Sequence, residues 1–149
     1  MNRKTLIDQL VLEVPGSCAC FKVRSAARKV TRRYEEALKP TGLTGTQYTL
    51  LVAFLIASDQ TLSEIAEQLG MERTTLLRNL KPLQRDGLID IASGQSGRTR
   101  AVTVTDKGVV LMGEALPMWR VAQERLKAEL GEPLWHQVQE SLNMLGQVA

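Results

Sequence analysis

Six polar residues between positions 73 and 81 carry the clearest chemistry in this chain: Arg73, Thr74, Thr75, Arg78, Asn79 and Lys81. They interleave with Leu76, Leu80 and Leu83, whose spacing of four and three puts the leucines on one face of a helix and the polar set opposite. Arginine forks, hydroxyls and a carboxamide are the groups that read base edges and phosphates in a DNA major groove. A helical hairpin with a solvated outer face would use the same residue types, so the neighbouring elements must decide between the two. Two further arginines, Arg98 and Arg100, lie in a glycine-containing stretch downstream, and Cys18 and Cys20 sit near the start. His136 is the single histidine. With no nucleophile paired to a base, no phosphate-cradling glycine loop and no Cys-x-x-Cys, the chain is not expected to be an enzyme or to hold a metal or cofactor.

What flanks the polar helix gives it a role. Thr61 and Glu64 have capping-box spacing, after which Leu62, Ile65, Ala66 and Leu69 share a helical face until Gly70. A short turn then leads into the polar helix, which Gly87 ends. Leu88 to Ile91 reads as a strand and residues 92 to 100 as a loop with Gly94 and Gly97. Val102 and Val104 alternate with Thr103 as a second strand, so the tip of the hairpin carries Arg98 and Arg100. Helix, helix and basic hairpin in this order form a winged helix-turn-helix, a module that reads DNA.

Around this centre the chain reads as helices. Ser17 is the expected N-cap of a helix reaching Leu38, Pro40 and Gly42 end it, and Thr44-x-x-Gln47 starts the next, with Tyr48, Leu51, Val52, Leu55 and Ile56 at helical spacing. Thr105 caps a long helix, which Gly108 and Pro117 are expected to interrupt; Pro82 is expected to kink the polar helix. Gly131 ends the long helix, and Glu132 and Pro133 open a last one carrying Leu134, Val138, Leu142 and Leu145. Residues 1 to 17 read as an arm or a short frayed helix. The expected fold is mainly α with a small β-hairpin wing: one domain over 1–149, with a DNA-binding lobe at 44–105 and dimerisation helices at 18–39 and 106–149. The terminal helices offer more apolar surface than a lobe this small can cover, which points to a homodimer reading two halves of a palindromic operator in double-stranded DNA.

Composition agrees with one folded domain. The 149 residues are 44% hydrophobic and 23% charged, and the net charge of +3 is unevenly spread. Residues 18 to 39 carry seven lysines or arginines against two glutamates, while residues 106 to 149 carry four basic against six acidic side chains. Concentrated basicity suits a polyanionic partner. Asp8 and Glu13 break any signal-like apolar run, and charges divide every stretch that could span a bilayer. A cytoplasmic protein with no membrane partner is expected, in which two cysteines so close together are not expected to form a structural disulfide.

Three strings resemble the MarR family of bacterial transcriptional regulators: GLTGTQYTLL at 42 to 51, LSEIAEQLGMERTTLLRNLKPLQRDGLI at 62 to 89, and SGRTRAVTVTDKG at 96 to 108. The resemblance runs from about residue 18 to 147. It implies a dimer joined by the terminal helices, a recognition helix at about 73 to 85, and a wing that enters the minor groove through Arg98. Arg73, Thr74, Thr75 and Arg78 match positions facing the major groove, and Arg78 is the foremost base-contact candidate. Ser96 departs from the family, which usually carries Asp two positions before the wing arginine.

The string CFKVRSAARKVTRRY at 20 to 34 also resembles the organic-hydroperoxide-sensing branch of that family, with Cys20 at the sensor position and Tyr34 matching one of its tyrosines. Arg24 and Gly45 stand where that branch has the others. With Ser17 as N-cap, Cys20 would lie in the first helical turn, where the helix dipole, Lys22 and Arg24 favour a thiolate open to an oxidant. Two small apolar packing residues is the plainer reading of the cysteines. The family's other signal is a small anionic aromatic ligand held between the dimerisation and DNA-binding parts, for which Arg24, Arg28 and Tyr48 are the candidates here. Two other readings compete with the regulator: a peroxide-reactive thiol enzyme using Cys20, and a winged helix turned to protein interaction.

Overall fold

The computed structural model describes residues 1–57, 60–93 and 100–148. In chain order these form α1 (Arg3–Ser17), α2 (Ala19–Leu38), a 3-10 turn (Lys39–Thr41), α3 (Gly45–Ile56), α4 (Leu62–Gln68), α5 (Arg73–Arg85), β1 (Ile89–Ser93), β2 (Arg100–Val104), α6 (Asp106–Leu130) and α7 (Glu132–Val148). The fold is mainly helical with one antiparallel hairpin, as the sequence predicts.

Local hydrogen bonding sets the central helix starts. The Thr44 hydroxyl accepts from the Gln47 amide at 3.2 Å while the Gln47 side chain accepts from the Thr44 amide at 2.9 Å, and α3 begins there. Thr61 and Glu64 repeat the exchange at 3.3 and 2.6 Å to start α4. Each box satisfies two amides that the first turn leaves without helical partners. Gly70, at φ +61°, then reverses the chain, with the Met71 amide donating to the Ala66 carbonyl at 2.8 Å. A side chain is rarely tolerated at that φ, so glycine is what allows α5 to follow so closely.

The core lies where α3, α4, α5 and β1 meet. Leu50, Leu51, Ile65, Leu76, Leu80, Leu83 and Ile89 are fully buried there together with Leu38 of α2. In the hairpin Ile89 faces Val104 and Ile91 faces Val102, and these apolar pairs pack on the core while Asp90 and Thr103, also opposite one another, remain exposed. Strand β1 begins at Ile89, one residue later than expected: the Leu88 amide still donates to the Leu83 carbonyl at 2.9 Å, which keeps Leu88 in the turn that closes α5.

Other expectations are corrected. Residues 3–17 form a continuous helix: Asn2 caps it, accepting from the Thr5 amide at 2.9 Å, and Pro15 falls so near its end that little hydrogen bonding is lost. The N-cap of α2 is Cys18 and not Ser17, whose hydroxyl instead donates back to the Glu13 carbonyl; the Phe21 amide donates to Cys18 Sγ at 3.4 Å. Pro117 does not interrupt α6, which runs through it as α-helix, as α5 runs through Pro82. Gly108 does not interrupt α6 either. It permits a close crossing, for a Cβ there would stand 2.4 Å from the Leu88 carbonyl oxygen and 2.6 Å from Val104 Cγ1.

A cluster of bonds at that crossing ties the start of α6 to the end of α5. Thr105 caps α6 by accepting from the Gly108 amide at 3.1 Å and donates its hydroxyl to the Gly87 carbonyl at 2.8 Å. The Lys107 ammonium donates to the Asp86 carbonyl at 2.7 Å. Further along, α6 packs on α2, where the Tyr34 hydroxyl donates to Gln123 and Arg33 pairs with Glu129. Helices α1 and α7 bury none of their residues and expose Leu6, Ile7, Leu10 and Val11 on the first and Leu134, Leu142 and Leu145 on the second. Among the described residues no helix is long and apolar enough to cross a membrane.

Candidate nucleic-acid interface

Helix α5 is anchored by one face and open on the other. Leu76, Leu80 and Leu83 are each 0% exposed, whereas Arg73, Thr74, Arg78 and Lys81 are exposed and Thr75 and Asn79 half-buried at the flank. The predicted polar face therefore exists as a surface held in place by buried leucines. Arg73, Arg78 and Lys81 make no ion pair among the described residues, so their charges remain available to a partner. Arg85 differs: it pairs with Asp86 at 3.0 Å, and that bond raises its pKa above the usual arginine value. Glu72, the N-cap of α5, makes no side-chain capping bond, which leaves the first-turn amides as donors.

The wing is described only in part. Arg98 lies outside the described residues, as does Ser96. Arg100 begins β2 opposite Ser93, and its backbone place is all that is described of it.

A second feature lies between α2, α3 and α6, a cleft of about 550 Å³. Tyr34, Tyr48, Val52, Met71, Leu116 and Trp119 give it a largely aromatic and apolar lining, with Thr31, Thr46 and Thr49 as the polar groups. Burial pushes the phenol pKa of Tyr34 and of Tyr48 upward, so both hydroxyls stay protonated near neutral pH. Of the three residues expected at a ligand site only Tyr48 is present. Arg24 and Arg28 are exposed and do not line the cleft. Arg24 precedes Val30, the first cleft residue of α2, by six positions, or about 9 Å of helix, and Arg28 points into a neighbouring groove with Lys29 and Arg32. Trp119, Leu116 and Met71 had no signal of their own in the sequence, where the apolar residues of the long helix read as surface for a second copy.

The two residues expected to sense an oxidant are not brought together within one chain. Cys20 is exposed in the first turn of α2, while Tyr34 lies fourteen residues on, roughly 21 Å along the helix, and gives its hydroxyl to Gln123. No group of three or more metal-ligating side chains occurs among the described residues.

Comparison with known proteins places this arrangement. The model of the MarR family matches residues 41–99. The M. tuberculosis transcriptional regulator MosR is 38% identical, the match covers 89% of this chain and 96% of that one, and the structures agree with a TM-score of 0.78. Its DNA complex is 39% identical over the same shares, with a TM-score of 0.80. The organic hydroperoxide resistance transcriptional regulator of Bacillus subtilis is 28% identical over 98 residues, 65% of this chain and 67% of that protein. The HTH-type regulator YwoH of the same species is 27% identical over 84 residues, which are 56% of this chain and 61% of YwoH. A buried-leucine helix presenting free cations beside a hairpin, in a chain that follows MosR along nearly its whole length, belongs to the MarR family of DNA-binding transcriptional regulators.

Proposed function

We propose that this chain is one half of a homodimeric repressor that binds a palindromic operator in double-stranded DNA and leaves it when a signal is received. The observation that carries this reading is the exposed, unpaired set Arg73, Arg78 and Lys81 on a helix whose opposite face is fully buried. In the proposed complex α5 enters the major groove. Arg78 contacts a base edge through its two-pronged guanidinium, Thr74, Thr75 and Asn79 complete the base contacts, and Arg73, Lys81 and the uncapped amides of α5 hold phosphates. Arg98 and Arg100 bring the wing to the minor groove. The DNA complex of MosR supports this use of the fold.

The lobe at 44–105 does the reading, and the helices at 18–39 and 106–149 join two copies. Exposed apolar side chains on α7 support that division, because a helix with no buried residue gains little by folding alone. The same holds for α1, which extends the joining surface.

The cleft between α2, α3 and α6 receives a small aromatic effector. Its lining suits the ring better than the charge: Tyr34, Tyr48 and Trp119 offer aromatic faces, while the guanidinium groups expected to clasp an anion lie elsewhere. A second route is oxidation of Cys20, favoured by its exposure in the first turn of α2. Either signal acts by changing the separation of the two recognition helices.

The decisive experiment selects duplexes with the purified protein and measures affinity for the selected sequence. Arg78→Ala is expected to weaken binding by roughly tenfold or more and to relax preference at one base pair. Arg98→Ala is expected to weaken all duplexes alike. Unchanged affinity in both variants refutes the reading. Repeating the selection with oxidant, for wild type and Cys20→Ser, separates the two signals.

A further inference from the structure

A second concavity, of about 620 Å³, runs along the other side of the α2–α6 contact. Its walls are Lys29, Arg32, Arg33 and Arg125, its single acid is Glu36, and Ala37, Val121 and Ala122 supply an apolar floor. It has the volume of a small-molecule site. All of its residues belong to α2 and α6, two of the helices proposed to join the copies, on a face where Lys29, Arg32 and Arg125 are exposed in the single chain; it is separate from the α5 surface and shares no residue with the aromatic cleft.

The charges in this groove are not balanced from within. Arg33 is taken by Glu129, and Glu36 lies 3.8 Å from Lys39. Lys29, Arg32 and Arg125 make no ion pair among the described residues. Their spacing also works against the helix. Arg28 and Arg32, and likewise Lys29 and Arg33, stand four residues apart, and Lys29 and Arg32 three apart. Like charges at these spacings repel and weaken a helix. An anion held among them would relieve the repulsion.

We propose that this groove is a binding site for a small oligophosphate, such as the phosphate chain of a nucleotide or of a phosphorylated cofactor. A single carboxylate would use one of the three unpaired cations. A chain of phosphates presents several charges to all three, and arginine forks match phosphate oxygens in pairs. The groove is concave and walled by two helices, which suits a compact anion better than the convex backbone of a duplex.

The test titrates the full chain with inorganic tripolyphosphate in a calorimeter at physiological salt. One equivalent per chain is expected to bind. The double variant Lys29→Gln/Arg125→Gln is expected to weaken binding by about tenfold or more, while Arg24→Gln, on the same helix outside the groove, and Arg78→Gln, on α5, bind as wild type does. Circular dichroism checks that each variant is folded. Three results would overturn the site: no binding by wild type, equal weakening by Arg24→Gln, which means diffuse attraction, or loss of binding in Arg78→Gln, which places the probe on the DNA-reading face. Two further measurements on the double variant bear on the occupant. If it loses DNA affinity as Arg78→Ala does, the groove tracks duplex phosphates. If it alters the oligomeric state, the groove seats a second copy. Either result also overturns the proposal.

Discussion

At the scale of single residues, Gly108 shows how one missing side chain can set a tertiary contact. A methyl group there would meet the Leu88 carbonyl oxygen, backbone that has no free end to swing aside. Gly108→Ala is therefore expected to destabilise the chain by about 2 to 3 kcal/mol even though alanine favours helices, measured by denaturant unfolding. An unchanged or higher midpoint would show that the crossing of α6 over the hairpin can open without cost. This role was not legible in the sequence, because it depends on residue 88 meeting residue 108 across a turn and a hairpin; read locally, a glycine after a cap looks like an interruption. Cys18 was missed for a related reason. A thiol is a weak acceptor, and the serine beside it is the better N-cap on chemistry alone, yet its hydroxyl is given to Glu13.

At the scale of elements, the capping boxes were fully legible, since both partners lie within four residues and need nothing from the rest of the fold. Thr61→Ala is expected to cost about 1 kcal/mol, and the loss should appear in unfolding midpoints. The cap also carries a pH signature. The hydrogen bond donated by the Thr61 backbone amide holds the Glu64 carboxyl below the usual glutamate range, so the unfolded chain takes up a proton before the folded one does as pH falls. Stability from this group is complete above the ordinary glutamate value and is lost as pH drops through the lowered folded value. Glu129, beside Arg33, and Glu132, beside Lys127, act in the same sense. Unfolding measured from neutral to acid pH should fall across that window, and less steeply in Glu64→Gln, which has no carboxyl to titrate at the cap. A decline of the same slope in that variant would remove Glu64 from the account. The polar face of α5 was legible too, because its period is that of a helix. The cleft was not: its lining is gathered from α2, α3, α6 and the turn at Met71, and only their packing brings Trp119 and Tyr48 into one lining.

At the scale of the whole molecule, the exposed apolar surface of α1 and α7 sets an expectation for assembly. If these faces join two copies, thermal stability should rise with protein concentration, and removal of residues 1 to 17 should lower it. A melting temperature independent of concentration, for a species that sediments as a monomer, would exclude the dimer. The cleft gives a paired expectation. Trp119→Ala is expected to abolish release of DNA by an aromatic effector while leaving affinity without effector near that of wild type, as read in a competition titration. Loss of both together would mean that Trp119 serves the fold and not the signal.

The fastening of Thr105 and Lys107 onto the carbonyls of Asp86, Gly87 and Leu88 has a mechanical meaning. It makes α5 and α6 one crank. With 25 residues α6 is roughly 37 Å long, so in the proposed dimer a swing of about 5° at its far end carries the near end, and α5 with it, by roughly 3 Å. That is close to the rise of one base pair, enough to put two reading helices out of step with one turn of DNA. In that dimer a signal received on the shaft would need no path of its own through the lobe, because the shaft is already bolted to the key.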